Sequence, residues 1–364
     1  NIVNLNSLSK LISYKRYSKK IYFKAFKMRF FFLKNFKIMN LLNINSVNIL
    51  DQYIDWMIFF ELFSINNFVS SMVFGENISN LLQSKNSLTT NFVYFSTSGP
   101  ILDNKEYPNH TEYLQYSFGK YDNFFGNQVS YKQFLSWEST FQNFIETGNL
   151  ASSYILMSNK NEIFEKLNIL DKKKIILFSD GAIGNSGIQS TKGFIEYLKA
   201  VTKIINNCSK YIYIFKTKSN IDHIYHTIGL QHTKTFNDLL KNKNIRFFDD
   251  KKVQELDINA HQLIAASEIC VSTSLQSLSY DALCAKKKCI IFDPDKIYNH
   301  AEYIYTKSKL IYAQNYSELN KLLGYWKNDN NLHMVEIINK TIIKPNIDKY
   351  CDQDSIKRFT NNLK

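Results

Sequence analysis

The sequence lacks the residue spacings of a structural metal site. Its five cysteines stand singly, and no Cys-x-x-Cys pair or Cys/His ligand spacing occurs. Most of them lie inside apolar runs, as reduced core residues of cytosolic proteins do. We therefore expect no metal, no disulfide framework and a cytoplasmic location. The five residues are Cys208, Cys270, Cys284, Cys289 and Cys351.

Long apolar runs are also missing. No stretch of about 18 consecutive apolar residues occurs, so we expect no membrane-spanning helix. Charged residues interrupt the apolar part of the amino-terminal region, which argues against a signal peptide. The chain opens at Asn1 rather than at a methionine, so we expect a fragment or a processed form of a longer protein.

Nucleic-acid-binding motifs are absent, although the chain is basic. The formal net charge is +13, but lysine is spread along a chain that is rich in Lys, Asn, Ile, Phe and Tyr throughout. There is no zinc-finger spacing, recognition-helix motif or aromatic RNA-binding box. We therefore expect no nucleic-acid partner.

The first 50 residues are basic and aromatic, and their pattern predicts an amphipathic helix with a cationic face. Two interpretations stay open: a core helix of the first domain with a solvated outer side, or a helix that lies on the anionic inner face of a membrane. The cationic residues are Lys19, Lys20, Lys24, Lys27 and Arg29, and the aromatic ones are Tyr22, Phe23, Phe26 and Phe30 to Phe32.

The length of 364 residues and the 45% hydrophobic content favour two domains. After residues 1–50 we predict a first α/β domain over 51–155, a second over 156–340 and a helical tail over 341–364. The first contains a helical pattern at 51–85 and a strand at 91–99, and a polar linker covers 151–170. The second half alternates strands and helices, which predicts a parallel sheet with helices on both faces. Its strands are expected at 175–178, 211–218, 244–249, 269–271, 289–292 and 310–312.

The most informative stretch runs from Ile264 to Asp293 and predicts a strand, a polar turn, a helix and a second strand. Four hydroxyl residues lie in or beside the turn: Ser272, Thr273, Ser274 and Ser277. A helix amino terminus that follows a strand binds anions well, because its unpaired N–H groups and its dipole both favour negative charge. A phosphate-bearing ligand is one interpretation. Ordinary helix capping by one of the hydroxyls is the other.

This stretch resembles the donor-domain signature of GT-B glycosyltransferases that build bacterial surface polysaccharides, such as capsular and lipopolysaccharides. The resemblance implies two Rossmann-like domains facing a cleft, an acceptor domain followed by a nucleotide-donor domain. It assigns Thr273, Ser274 and Ser277, with Ser272 beside them, to the nucleotide diphosphate. Asp281 is assigned to ribose or sugar hydroxyls. It further implies a carboxyl-terminal helix that returns to the first domain, with a free tail as the alternative.

The same stretch is also similar to the CDP-glycerol glycerophosphotransferases of teichoic-acid synthesis. Their pattern has Thr-Asp, a pair of Ser and then Phe-Asp. Thr273, Ser277, Tyr280 and Asp281 fit it, whereas Ser274 stands where the pattern has Asp and Gln276 where it has Ser.

Further donor-binding candidates follow other predicted strands. The loop after residues 175–178 contains Gly181 and Gly184, which permit close approach to a phosphate or merely serve a turn. Lys216 and Lys218 end the next strand, where cations can neutralise a diphosphate leaving group. A solvated lysine pair is the alternative. The backbone at Phe248 is expected beside the nucleotide base.

The segment from Asp103 to Tyr121 is irregular and carries a histidine and several carboxylates. His110 or Glu112, with Asp103 behind them, could deprotonate an acceptor hydroxyl, and a solvated surface loop is the alternative. Trp137 and the run Thr147-Gly148-Asn149 echo a motif near the end of the first domain in the resembled family, with Leu150 in place of its proline.

These observations lead to one functional expectation and several rivals. We expect a metal-independent glycosyltransferase without a cofactor, which takes a nucleotide-sugar as donor and a glycan or lipid-linked acceptor. Association with the inner face of a membrane is left open. The rival enzymes are a CDP-alcohol phosphotransferase and a nucleotide-sugar 2-epimerase, and the rival without catalysis is a basic scaffold that binds glycan or membrane.

Overall fold

A computed structural model of the chain contains two parallel β-sheets in succession, with helices packed around the second. It describes Phe23, Lys27 and residues 66–70, 89–93, 121–127, 141–169, 173–181, 183, 189–207, 210–273, 277–296 and 308–363. No helix within these ranges is long and apolar enough to cross a membrane.

The first sheet has four parallel strands in chain order. They are β1 Asn67–Ser70, β2 Thr89–Val93, β3 Tyr121–Gly126 and β4 Phe141–Glu146. Stacked aromatic rings cross the sheet, with 5.1 Å between the centroids of Phe92 and Phe124 and 5.7 Å between those of Phe124 and Phe144. Such side-chain packing between neighbouring strands stabilises the sheet.

A ladder of asparagine amides also crosses the first sheet. The side-chain amide of Asn91 donates to the Oδ1 of Asn67 at 3.2 Å, Asn123 donates to Asn91 at 2.9 Å, and Asn143 donates to Asn123 at 3.2 Å. Because a slip of one residue would turn these amides to the opposite face, the ladder helps to fix the register of the four strands.

The second sheet has six parallel strands in the order β10-β9-β8-β5-β6-β7. The strands are β5 Ile175–Ser179, β6 Ile212–Lys216, β7 Ile245–Phe248, β8 Ile269–Thr273, β9 Lys288–Phe292 and β10 Tyr312–Ala313. Every residue of β5, β8 and β9 is buried. Helices cover both faces of such a sheet, so its strands read as continuous apolar runs. The six strands predicted in this half are therefore confirmed, with shifted ends.

Twelve α-helices lie within the described residues. They are α1 Leu150–Met157, α2 Lys160–Lys166, α3 Thr191–Asn206, α4 Ile221–Ile228, α5 Thr233–Leu240, α6 Asp250–Glu255, α7 Ala260–Ala266, α8 Ser277–Cys284, α9 Tyr316–Lys327, α10 His333–Ile338, α11 Lys344–Asn346 and α12 Ser355–Asn362. A π-helical turn, Asn339–Ile343, joins α10 to α11. Asparagine caps α1, α2, α4, α7 and α9, because its side-chain oxygen accepts from an unpaired N–H of the first turn.

Two predicted local conformations differ from the structure. The polar linker expected over 151–170 is mainly helical, because Ile155, Ile163 and Leu167 are buried in the core of the second half. The predicted boundary after residue 155 falls inside α1. The helical pattern at 51–85 includes strand β1, whose pairing with β2 decides the conformation of those four residues.

The carboxyl-terminal segment returns to the first sheet. The ring of Phe359 in α12 contacts that of Phe125 edge-on at a centroid distance of 5.0 Å, and the carbonyl of Leu363 accepts from the Asn67 side chain at 2.9 Å. This confirms the returning helix, and the free tail is wrong.

Gly148 lies where the first sheet leads into α1, and we expect Gly148→Ala to lower the free energy of unfolding by about 1–3 kcal/mol. Its φ is +86°, and an added Cβ would lie 2.8 Å from the Ser355 hydroxyl. Urea unfolding would measure the change. The control is Gly324→Ala, in the interior of α9 with open space around it, which should be stabilising by about 0.5–1 kcal/mol. Equal effects of the two changes would contradict the expectation.

Candidate functional site

The topology of the second sheet places a crevice between the ends of β5 and β8. From β5 the chain proceeds to β6 and β7 on one side, and then crosses over to β8, β9 and β10 on the other. Ser179 of β5 pairs with Ser272 of β8 at the carboxyl edge. Open α/β sheets bind ligands where the strand order reverses in this way. The candidate site is therefore at this edge.

A backbone-to-hydroxyl hydrogen bond joins the two strand ends. The N–H of Gly181, two residues after β5, donates to the Oγ1 of Thr273 at 3.2 Å. The structure thus brings together two of the predicted donor-binding residues. Thr273 is fully buried, so it orients the loop after β5 and does not lie on an open surface.

Asp180 precedes Gly181, and the sequence interpretation did not single it out as a site residue. Its Oδ1 accepts from the backbone N–H of Lys218 at 2.6 Å, which ties the end of β5 to the end of β6. Burial raises the pKa of the Asp180 carboxyl to about 7 from an ordinary value of 3.8, although the Lys218 N–H and the charge of Lys216 oppose the shift. A carboxyl group that titrates near neutral pH is suited to proton-linked chemistry.

Helix α8 begins at Ser277, shortly after the end of β8 and so at the carboxyl edge of the sheet. Ser272 is 2% exposed, and its hydroxyl has no hydrogen-bond partner among the described residues. Ser277 is half-buried in the first turn. The first-turn N–H groups and the helix dipole favour an anionic group at this position.

A second helix amino terminus at this edge, that of α3, is occupied by the protein itself. The carboxylate of Asp295 accepts from the backbone N–H of Ser190 at 2.9 Å and from the Ser190 hydroxyl. Gly193 permits the approach, because a Cβ there would lie 2.1 Å from the Asp295 Oδ2. At the amino terminus of α8, in contrast, no carboxylate among the described residues occupies the position where an anionic ligand would bind.

The predicted cations lie at the end of β6 in two different environments. Lys216 is buried, with 7% exposure, and its Nζ donates to the carbonyl of Thr217. Lys218 is exposed. Phe248 packs its side chain into the core and uses its carbonyl to accept from the N–H of Thr217 at 2.9 Å. Its predicted contact with a nucleotide base stays a prediction.

Asp281 lies in the interior, contrary to the surface position that a sugar-binding role requires. Its carboxylate is fully buried and accepts from the Asn149 side chain at 2.8 Å, with the Nε2 of His261 at 3.0 Å. A hydroxyl ligand could not reach it without displacing one of these groups. The backbone N–H of Asn149 in turn donates to Asp348 at 2.9 Å. This network connects α8 to the exit of the first sheet and to the carboxyl-terminal segment.

His261 and Asn149 were missed as partners of Asp281. The Thr147-Gly148-Asn149 run did indicate the end of the first sheet. Sequence periodicity, however, does not indicate which distant carboxylate an asparagine side chain contacts. His110, Glu112, Gly184 and Ser274, as well as Asp103 and Trp137, lie outside the described residues. The roles suggested for them stay predictions.

One group of potential metal ligands occurs within the described residues, away from the carboxyl edge. The ligand atoms of Cys284, Asp348 and Cys351 lie within 4.8 Å of one another, and all three residues are buried. Burial and the neighbouring Cys351 raise the pKa of the Cys284 thiol well above its ordinary value. Cys351 donates to the carbonyl of Asp348 at 3.0 Å. The raised pKa keeps the Cys284 thiol protonated at neutral pH, as in a core thiol.

The family of the chain follows from a comparison that covers most of its length. The family model described as "Polysaccharide biosynthesis PFTS motif protein" matches residues 26–323. The chain belongs to this family. This confirms the expected connection with polysaccharide biosynthesis. No curated protein matches the sequence.

Solved structures with a similar fold extend over most of this polysaccharide biosynthesis protein. S. aureus MnaA in a co-structure with UDP has a TM-score of 0.52 at 14% identity, over 88% of this chain and 81% of that one. The wall teichoic acid polymerase TagF with CDPG has a TM-score of 0.51 at 15% identity, over 82% and 73%. A UDP-N-acetylglucosamine 2-epimerase has 0.52 at 10% identity, over 86% and 76%. These likenesses confirm the GT-B-like fold.

The raised pKa of Asp180 predicts how stability depends on pH. The folded carboxyl titrates near 7 and the unfolded one near 3.8, so the native state binds the extra proton between these values. Its contribution to stability is therefore present below about pH 4 and is lost as the pH rises to about 7. We expect Asp180→Asn to gain stability relative to the unchanged protein over this range, by up to about 1.4 kcal/mol per pH unit.

Urea unfolding of both proteins at several pH values between 4.5 and 8 measures this difference. The control is Asp257→Asn, which changes an exposed carboxylate paired with Lys166 and should not follow the same pH course. A constant difference between Asp180→Asn and the unchanged protein would show that the carboxyl group titrates normally.

Proposed function

We propose that the chain is a glycosyltransferase that moves a sugar from a nucleotide-sugar donor to a surface polysaccharide acceptor. The observation that carries this proposal is the junction of Gly181 with Thr273 beside the amino terminus of α8, at the point where the strand order reverses. Membership of a polysaccharide biosynthesis family supports the substrate class. The GT-B-like fold supports a nucleotide-activated donor.

The nucleotide diphosphate is proposed to bind at the amino terminus of α8. The first-turn N–H groups and the hydroxyl of Ser277 supply donors, and Ser274 is proposed to add another. The α3 terminus is less suited because Asp295 already fills it. Thr273 acts indirectly by orienting the loop that begins at Asp180.

The reaction is proposed to proceed without a metal ion. An oxygen of the acceptor attacks the anomeric carbon, the bond from that carbon to the diphosphate breaks, and the leaving nucleotide diphosphate keeps the electron pair. Lys216 and Lys218 would offset its charge, and the burial of Lys216 strengthens this effect by keeping water away. His110 or Glu112 is proposed to take the acceptor proton.

Asp281 is proposed to act through position and not through contact with the sugar. It lies one helical turn after Ser277, and its hydrogen bonds to Asn149 and His261 fix α8 against α1 and α7. Because a misplaced donor group loses most of its effect on a transition state, fixing α8 preserves the geometry at Ser277.

Two other reactions are compatible with the same diphosphate site. TagF, named as a wall teichoic acid polymerase, and the named UDP-N-acetylglucosamine 2-epimerase share the fold. A glycosyltransferase releases a nucleoside diphosphate and forms a glycosidic bond. A CDP-alcohol transferase forms a phosphodiester and releases a nucleoside monophosphate, and an epimerase rearranges its donor without an acceptor. Analysis of the products therefore separates all three, while a scaffold would bind ligand with steep salt dependence and turn nothing over.

The acceptor and the amino-terminal segment are proposed to meet at the inner face of the membrane. Phe23 and Lys27 are helical, Phe23 is 63% exposed, and the Lys27 Nζ lies 4.9 Å from the centre of its ring. An exposed aromatic beside a cation suits an anionic lipid surface. Flotation with vesicles should recover the protein with anionic lipid and much less with neutral lipid, and equal recovery would count against this part.

Ser277→Ala should lower the rate of sugar transfer by about 100- to 1,000-fold, as loss of one hydrogen-bond donor to a developing negative charge does elsewhere. The measurement is release of nucleoside diphosphate from UDP-, GDP- or CDP-sugars with a glycan acceptor. Thermal unfolding with UDP, GDP, CDP, CMP and ADP first identifies the nucleotide. A ligand at 100 times its Kd raises stability by about 2.7 kcal/mol.

The matched control is Ser317→Ala, in the first turn of α9. This helix follows β10 at the far edge of the sheet, two strands from β8. We expect Ser317→Ala to leave both turnover and the nucleotide-induced thermal shift unchanged. Unchanged turnover in Ser277→Ala would exclude the proposed diphosphate site.

A further inference from the structure

The two oxygens of the Asp180 carboxyl are in different situations. Oδ1 accepts a 2.6 Å hydrogen bond from the Lys218 N–H. Oδ2 is buried and has no hydrogen-bond partner among the residues that the structure describes. Burying a charged oxygen without a hydrogen-bond partner costs free energy. When Oδ2 is protonated it is instead a hydroxyl group, which can donate a hydrogen bond to an acceptor.

The groups around Asp180 act on its charge from three elements. Lys216 and Lys218 at the end of β6 favour the carboxylate, but burial outweighs them. The hydroxyl of Tyr197 in α3 donates to the carbonyls of Ser179 and Val271, so its proton is not available to the Asp180 carboxylate. The end of β8 contributes Thr273, which has no titratable group. No residue in the part of the chain that the structure describes supplies the acceptor that Oδ2–H requires, and a ligand at this edge could supply it.

Asp180 is close to the proposed diphosphate position. The next peptide N–H, that of Gly181, donates to Thr273, and α8 begins at Ser277, shortly after Thr273. A carboxylate here would repel a diphosphate. A neutral carboxyl would donate to one of its oxygens, in the way that protonated acids donate to oxyanions in other buried sites.

We propose that Asp180 binds the nucleotide diphosphate in its protonated form, with Oδ2–H donating to a phosphate oxygen, so that binding takes up a proton from solvent. This inference rests on the proposed function, because it assumes a diphosphate at the α8 terminus. It adds a residue in direct contact with the ligand and a pH dependence of affinity. Affinity should fall as the pH rises above about 7, by up to tenfold per pH unit.

Isothermal titration calorimetry in HEPES and in Tris at the same pH measures proton uptake directly. The probes are UDP-N-acetylglucosamine and CDP-glycerol, whose phosphates are esterified on both sides and so do not titrate near neutral pH. At pH 8 we expect about 0.9 proton taken up per ligand, because a group with a pKa near 7 is then mostly ionised before binding. The Kd should rise about 15-fold between pH 7 and pH 8.5.

Asp180→Asn provides the matched variant. Its amide keeps an acceptor for the Lys218 N–H and offers a fixed N–H donor to the phosphate. It should therefore bind with no proton uptake and with a Kd that does not depend on pH. The control is Asp329→Asn, at the opposite edge of the sheet where Asp329 pairs with Lys174, and it should behave like the unchanged protein.

The outcomes separate this inference from the proposed function. Binding of a probe without proton uptake, or uptake that persists in Asp180→Asn, would overturn the role of Asp180 and leave the diphosphate site standing. Failure of the unchanged protein to bind these probes, and also the sugar conjugate of whichever nucleotide shifts its thermal unfolding, at any pH would overturn both. Because absence of proton uptake by the unchanged protein overturns the role of Asp180 without any variant, the test does not depend on the variant folding.

Discussion

The pairing of β5 with β8 is the constraint on which the rest of the candidate site depends. These strands are distant in sequence, and only their parallel register brings Ser179 opposite Ser272 and the loop after β5 within reach of Thr273. Their adjacency opens the crevice, places the start of α8 at the same edge and buries Asp180 at its side. Because the core strands of a sheet unfold with the whole domain while loops open locally, substitutions that loosen this pair should lower overall stability together with ligand binding.

A second set of interactions links this edge to the first sheet. Asn149 caps α1 with its side-chain oxygen, donates its amide to Asp281 and offers its backbone N–H to Asp348. One residue thus contacts the exit of the first sheet, the helix of the candidate site and the carboxyl-terminal segment. Buried polar networks of this kind are costly when a partner is missing, so they specify one arrangement of their elements.

Much of the second half of the fold was predictable, since buried parallel strands read as apolar runs such as Ile175 to Phe178 and Cys289 to Phe292. The end of β5 before Gly181 was predictable as well, because glycine is typical of the turns that follow strands. The hydroxyl-rich turn stays a prediction, since Ser274 lies outside the described residues. Strand β1 was not predictable. Its four residues lie inside a helical sequence pattern, and only their pairing with β2 makes them a strand. The burial of Asp281 was not predictable either. Helical spacing indicates which face of α8 Asp281 lies on, but not which distant residues it contacts. Asp180 was passed over because its shifted pKa comes from burial, which composition does not reveal.

The central claim is that a nucleotide diphosphate binds where β5 and β8 end and α8 begins. Hydrogen-exchange mass spectrometry of the full chain, with and without the nucleotide that raises its thermal stability most, tests this directly. Slower exchange should appear in peptides that cover 179–181 and 273–281, because a bound phosphate protects the N–H groups it contacts. Protection confined to other parts of the chain, with none in these two segments, would contradict the account.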